Sequence, residues 1–187
     1  MATRAQQTVW TYSEFARLPD DGNRYEVIAG DLYVTPAPRP IHQEVLIALA
    51  LLLREFAERH NLGWVLPAPV DVLYADGEYV EPDIVFVRRE RRGIITDRGI
   101  EGPPDLIVEV TSGSTAARDR GIKRKQYAYF GVPLYWIVDP ESRHIEVYGV
   151  QEDPAQPAIV RDTLTWTPFP GGPTLTIRVP EIFRGFD

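Results

Sequence analysis

Apolar residues recur at helical spacing once over a long stretch. Across RPIHQEVLIALALLLREFAERHNLG (39–63), Val45, Leu49, Leu52, Leu53 and Phe56 return every three or four residues. Pro40 suits the first turn and Gly63 the end, so this segment predicts the longest helix. TYSEFARLP (11–19) predicts a short helix capped by Thr11 or Ser13. RYEVIAGDLYVTP (24–36) alternates as two strands about Ala29-Gly30-Asp31, a hairpin. WVLPAPVDVLYADGEYVEPDIVFV (64–87) gives further strands, broken by prolines and an Asp-Gly-Glu turn.

The second half carries a clearer topology. DLIVEVTS (105–112) and LYWIVDP (134–140) are continuous apolar runs of the kind a doubly covered strand needs. Between them STAARDRGIKRKQYAYFGV (114–132) predicts a helix closed by Gly131 and Pro133. Strand, helix, strand in that order predicts a parallel pair joined by a right-handed crossover. RRERRGIITDRGIEGPP (88–104) reads as a charged, mobile loop, and HIEVYGV (144–150) as one more strand. The expected fold is therefore α/β, a mixed β-sheet flanked by helices. The expected organisation is one domain over 1–187, with an N-terminal helix and hairpin at about 10–36 and a Pro/Gly-rich strand extension at about 151–187.

Composition narrows the function only by exclusion. There is no cysteine, so neither disulfides nor thiolate metal sites are available. No apolar stretch of 18 residues exists, and the first ten residues lack the apolar segment of a signal peptide, so a cytoplasmic protein without a membrane span is expected. A net charge of -7 argues against a broad sequence-independent grip on nucleic acid. It leaves room for a nuclease, because bound divalent ions and local arginines offset a carboxylate-rich cleft.

Within those bounds, one residue is out of place. Glu109 sits in the middle of an apolar strand, where an unpaired charge costs several kcal/mol. Either Lys123 or Arg120 neutralises it as part of the fold, or it binds something. Asp83 stands at the mouth of the strand in EPDIVFV, where an aspartate also serves as an ordinary turn residue. Two acids at neighbouring strand ends, with the Val110 carbonyl beside them, match the oxygen set that Mg²⁺ takes from proteins; Mn²⁺ can substitute.

Geometry then chooses between two lysines. Glu109 lies roughly 10 Å before the strand end, at about 3.3 Å per residue. A helix starting near Ala116 climbs back about 10 Å by residue 123, at 1.5 Å per residue. Lys123 falls within the apolar arc of Ala116, Ile122, Tyr127, Tyr129 and Phe130, whereas Lys125 points about 200° away from it. Four further residues are secondary candidates. His42 shares a face with Leu46, Leu49 and Leu53 and reads first as a core histidine. Glu26 alternates with Tyr25 and Val27 and reads first as solvated. Gln126 and Tyr127 follow Lys123 on its helix. The arginines 88, 89, 91 and 92 read as a solvated run with some prospect of phosphate contact. Tyr135 and Trp136 read as core.

Pro82-Asp83, EVTS at 109–112, DRGIK at 119–123, Tyr127 and GVPLYWIVDP at 131–140 follow one another in an order that resembles the Uma-two-type restriction endonucleases, a bacterial family of the PD-(D/E)XK nuclease superfamily. YEVIAGDLYVTPAP followed by His42 resembles the same family's N-terminal hairpin and helix. The resemblance implies a restriction-endonuclease-like fold and Mg²⁺-dependent hydrolysis of phosphodiesters, most simply in DNA. It implies Asp83, Glu109 and Lys123 as catalytic positions, and a place near the metal for Glu26 and His42. By analogy with nucleases that cut both strands, it also implies a homodimer. The superfamily's usual lysine position, two residues after the second acid, holds Thr111, so Lys123 on the helix takes its place. Two other readings stay open: a catalytically silent binding or regulatory module on the same fold, and a two-carboxylate hydrolase such as a glycosidase.

Overall fold

The structure is a computed structural model that describes residues 10–149 and 156–185. The readings of residues 1–9, and of the tail's start at 150–155, lie outside the described residues. In the first half, α1 (Tyr12–Phe15) precedes the hairpin β1 (Arg24–Ile28) and β2 (Asp31–Thr35), and α2 (Pro40–Arg59) follows it. Then come β3 (Gly63–Pro67), β4 (Val72–Ala75), β5 (Glu78–Val80), β6 (Ile84–Arg88), β7 (Ile95–Thr96) and β8 (Gly99–Glu101). The second half contains β9 (Leu106–Val110), α3 (Ala116–Arg118), a π turn over Asp119–Lys123, α4 (Arg124–Tyr129), β10 (Leu134–Asp139) and β11 (His144–Gly149). The chain closes with β12 (Ala158–Val160), β13 (Thr163–Trp166), β14 (Leu175–Arg178) and a 3₁₀ turn at Val179–Phe183.

Two six-stranded sheets and a two-stranded ribbon result. The central sheet runs β12-β11-β10-β9-β6-β3, and the second runs β2-β1-β5-β4-β8-β7. In the central sheet β9 and β10 are parallel, with Ile137 opposite Glu109, and the other pairings are antiparallel. The mixed α/β architecture expected from the sequence holds, and the hairpins add the second sheet.

The continuous apolar character of β9 follows from cover on both faces. Leu106, Val108 and Val110 pack toward α2 with Val45, Leu49, Leu53 and Phe56, and the C-terminal Trp166 and Phe183 join them. Ile107, one residue out of phase, packs on the opposite face with Ile28, Val72, Val80, Tyr127 and Tyr135. Period-two alternation therefore points Glu109 to the same face as Ile107, between the two sheets.

Local rules explain the edges of these elements. Thr11 caps α1 in a capping box with Glu14. Ala29 and Gly30 both take positive φ, 53° and 84°, the pair of left-handed residues that a two-residue hairpin needs. Pro40 occupies the first turn of α2. The left-handed residue after α2 is Asn61, not Gly63; Gly63 instead opens β3, where a Cβ would run into the Val87 carbonyl.

Three expectations are corrected. Residues 88–104 form a 3₁₀ turn and the β7–β8 hairpin rather than a mobile loop, because Arg88 and Arg91 both bind Asp105. Arg89 and Arg92 lie over the Trp64 ring, so the whole arginine run is used within the fold. Leu52 is 38% exposed, since of the three consecutive leucines at 51–53 only Leu53 falls on the core stripe of α2. Tyr129 is 81% exposed, because it lies about 200° around α4 from the buried Tyr127.

Candidate active site

The register Ile84↔Val108, continued by one residue, sets Asp83 opposite Glu109 at the ends of two antiparallel strands. Both point to the face that the second sheet and α4 cover. There β1 delivers Glu26, the π turn delivers Asp119 and Lys123, and the first turn of α2 delivers His42. Asp83, Glu109, Asp119, Lys123 and His42 line a cavity of about 700 Å³, whose rim includes Arg24, Arg39, Glu81 and Arg118.

Asp83 is almost wholly buried and fully bonded. Its Oδ2 accepts the Val110 backbone N–H at 2.7 Å and lies 3.1 Å from His42 Nε2. Its Oδ1 accepts Arg24 Nη1 at 2.8 Å. Burial alone would raise this carboxyl; the bonds and charges of His42, Arg24 and Val110 outweigh it and hold it at about 2.

Glu109 has the opposite fate. Its Oε1 accepts both Lys123 Nζ and the Tyr127 hydroxyl at 2.8 Å. Burial pushes its carboxyl up to about 8, with Asp83, Asp119 and Glu26 adding to the rise, against the downward pull of Lys123. Lys123 is itself buried, and Glu26 Oε1 takes a second of its protons at 2.7 Å. Burial would lower the Lys123 amine, but Glu109, Glu26 and Asp119 hold it above its ordinary value. Asp119 is raised by burial, partly offset by Lys123 and by bonds from Thr115 and Thr111.

This placement revises several sequence expectations. Glu26 is not solvated: it is fully buried, because its face of the second sheet turns toward Lys123 and the central sheet. His42 is not a core histidine but a partner of Asp83, since its position in the first turn of α2 puts it on the cavity wall. Gln126 is half-buried and does not line the cavity, which Asp119 and Lys123 close from this segment. Tyr127 reaches the site from beneath, through Glu109. Arg120 does not neutralise Glu109. It binds Asp139 and Glu146 at 2.8 and 2.6 Å instead.

Arg24, Arg118 and Asp119 escaped the sequence reading as site residues. Two of them carried a signal. Arg24 is two residues before Glu26 on one strand, hence on the same face, and Asp119 is four before Lys123, hence on the same side of a helix. Arg118 Nη2 lies 3.8 Å from Glu26 Oε2 and has no such marker.

The donor set fits a hard divalent cation. Asp83, Glu109 and Asp119 line the cavity and Glu26 joins them through Lys123; burial raises Glu109, and these acidic neighbours add to the rise. Glu26 Oε2 is buried without a hydrogen bond. Oxygen donors in this arrangement suit Mg²⁺ or Mn²⁺. A second buried group, Asp139, His144 and Glu146, has ligand atoms within 4.8 Å of one another. Its carboxylates are already spoken for: Arg120 bridges them, Tyr148 donates to Glu146 at 2.7 Å, and Asp139 accepts the N–H groups of Glu141 and Ser142. That cluster is a clamp holding the π turn, and with it Lys123, against β10 and β11.

Comparison with known proteins agrees with this fold. The sequence model of the Uma2 family, described as putative restriction endonuclease, matches residues 12–180. No curated protein matches the chain. Among solved structures, a crystal structure of a putative nuclease belonging to DUF820 from Anabaena variabilis ATCC 29413 superposes with a TM-score of 0.74. The two share 17% identity, and the match covers 92% of this chain and 97% of that one.

Proposed function

The chain belongs to the Uma2 family of putative restriction endonucleases, and from that premise we propose that it is a metal-dependent endonuclease that hydrolyses phosphodiester bonds in DNA. The observation that carries this reading is the convergence of Asp83, Glu109 and Lys123, the last bonded to Glu26, on one cavity large enough for a nucleotide's phosphate and sugar. Asp83, Glu109 and the Val110 carbonyl would hold Mg²⁺, or Mn²⁺ in its place. Such an ion supplies charge stabilisation to the phosphate oxygens and an acidified water. The chain's own residues do the rest. Lys123, charged and fixed between Glu26 and Glu109, donates to the attacking water or to a phosphate oxygen as charge builds there. The water oxygen bonds to phosphorus while one ester P–O bond breaks; one of the water's protons stays on the new phosphate oxygen, and the other is passed through solvent to the leaving oxygen. Glu26 and His42 orient this shell, and Tyr127 fixes Glu109 from below.

No helix among the described residues is long and apolar enough to cross a membrane, which suits a cytoplasmic enzyme. A homodimer, placing one cavity on each strand of a duplex, completes the proposal. The competing reading, a catalytically silent module, draws on one fact: both oxygens of Asp83 are already bonded. Incubation of purified protein with duplex DNA and Mg²⁺ or Mn²⁺ separates the two. Cleavage is expected, and Glu109→Ala and Lys123→Ala are expected to abolish it while leaving the circular dichroism spectrum unchanged. Full cutting by Glu109→Ala would overturn the assignment.

A further inference from the structure

Arg24 sits where a cation would sit. Of the two Asp83 oxygens, Oδ2 is taken by the Val110 N–H and by His42, both parts of the frame. Oδ1 is held by Arg24 Nη1 at 2.8 Å, and both residues line the cavity. Arg24 does not depend on Asp83 alone, because its Nε binds Glu81 at 2.9 Å. Its side chain is 19% exposed, against 1% for Asp83, so it reaches the carboxylate from the open side. A guanidinium offers several donors in a rigid fork that matches a phosphate as well as a carboxylate.

We propose that Arg24 is a displaceable counter-cation and a substrate-binding residue. It neutralises Asp83 in the ion-free protein. On loading it yields Oδ1 and, still tethered through Glu81, turns to the phosphodiester. The inference rests on the metal-dependent reading above and deepens it: it explains how Asp83 can be fully bonded and still serve as a ligand. It also gives the DNA backbone an arginine at the cavity mouth, in a chain whose net charge is -7.

Calorimetric titration of Mn²⁺ into the full-length protein at low ionic strength tests it, on the wild type, Arg24→Gln and Arg24→Lys. Removing a competing charged hydrogen bond should make Arg24→Gln bind Mn²⁺ roughly 10- to 100-fold more tightly. Arg24→Lys keeps a charge but not the two-pronged grip and should gain about threefold. If Arg24→Gln does not fold by circular dichroism, the lysine variant decides by the same criterion. At saturating Mn²⁺, loss of the phosphate contact should raise KM for duplex DNA roughly tenfold, with a smaller change in kcat. Unchanged or weaker Mn²⁺ binding in both variants, with the wild type binding normally, overturns the inference and leaves the nuclease reading standing. Tighter Mn²⁺ binding with an unchanged KM overturns the phosphate contact. No Mn²⁺ binding by any of the three overturns both readings together.

Discussion

Replacing Glu109 by glutamine should stabilise the ion-free protein at neutral pH, although it touches the centre of the site. The magnitude follows from the carboxyl's surroundings. In the unfolded chain Glu109 has its ordinary pKa of 4.5; in the fold, burial and three neighbouring acids carry it to about 8. A group whose folded pKa is raised contributes its full stability below the unfolded value and loses it as pH rises toward the folded one. Between pH 5 and 8 that loss amounts to roughly 3 kcal/mol, at about 1.4 kcal/mol per pKa unit. Glutamine has the same shape and nothing to titrate. Its oxygen can still accept the Tyr127 hydroxyl, and Lys123 keeps Glu26 at 2.7 Å. For a chain of this size, roughly 3 kcal/mol corresponds to roughly 6–12 °C in Tm. Thermal unfolding in EDTA, followed by circular dichroism at pH 5, 6, 7 and 8, should show the wild type falling by that amount relative to Glu109→Gln. Asp83 does not interfere: its lowered pKa of about 2 confines its contribution to a window below about pH 4. Excess Mn²⁺ should abolish the wild-type slope and leave the variant's curve where it was. If the two curves run parallel from pH 5 to 8 in EDTA, Glu109 carries no excess burden and the electrostatic account of the cavity is wrong.

Two further predictions concern the frame. Gly63→Ala places a Cβ against the Val87 carbonyl and demands φ near +154°, so it should lower stability by about 3 kcal/mol or more, read as a fall in the urea midpoint. Arg120→Met leaves Asp139 and Glu146 without their shared partner; because the guanidinium is about one-third exposed, the cost should be about 2 kcal/mol rather than the larger figure for a buried pair. Arg120 helps hold both carboxyls below their ordinary range, so that loss should be largest at neutral pH and shrink only as pH falls below the ordinary carboxylate range, and cleavage should fall with it as the π turn loosens.

The parts of the molecule set by local pattern could be read from the sequence. The α2 stripe, the β1–β2 hairpin and the parallel pairing of β9 with β10 all follow from periodicity and turn chemistry. Glu109 was visible as an acid in a run of buried apolar residues, and the strand–helix arithmetic brought Lys123 level with it. What escaped depends on partners distant in sequence. Alternation in β1 says which residues share a face with Glu26, but not that the central sheet and the π turn close over that face. Arg88 and Arg91 look solvated until Asp105 is set beside them. His42 looks like core until the chain returns at Asp83, 41 residues later. Tyr129 could have been excluded by counting, since it lies about 200° from Tyr127 on α4, whereas the wide turn ahead of that helix leaves no mark in the sequence.

That wide turn, from Asp119 to Lys123, makes backbone length itself a determinant of the chemistry. Deleting a single residue there would restore a regular helix and swing every later side chain about 100° around the axis. Tyr127 would leave Glu109, and the amine would face away from both acids, with no change in which amino acids the chain contains around the cavity. Side chains on this segment can therefore be exchanged while the cavity keeps its geometry, but the count between Thr115 and Tyr127 cannot change without rebuilding the cavity from the other side.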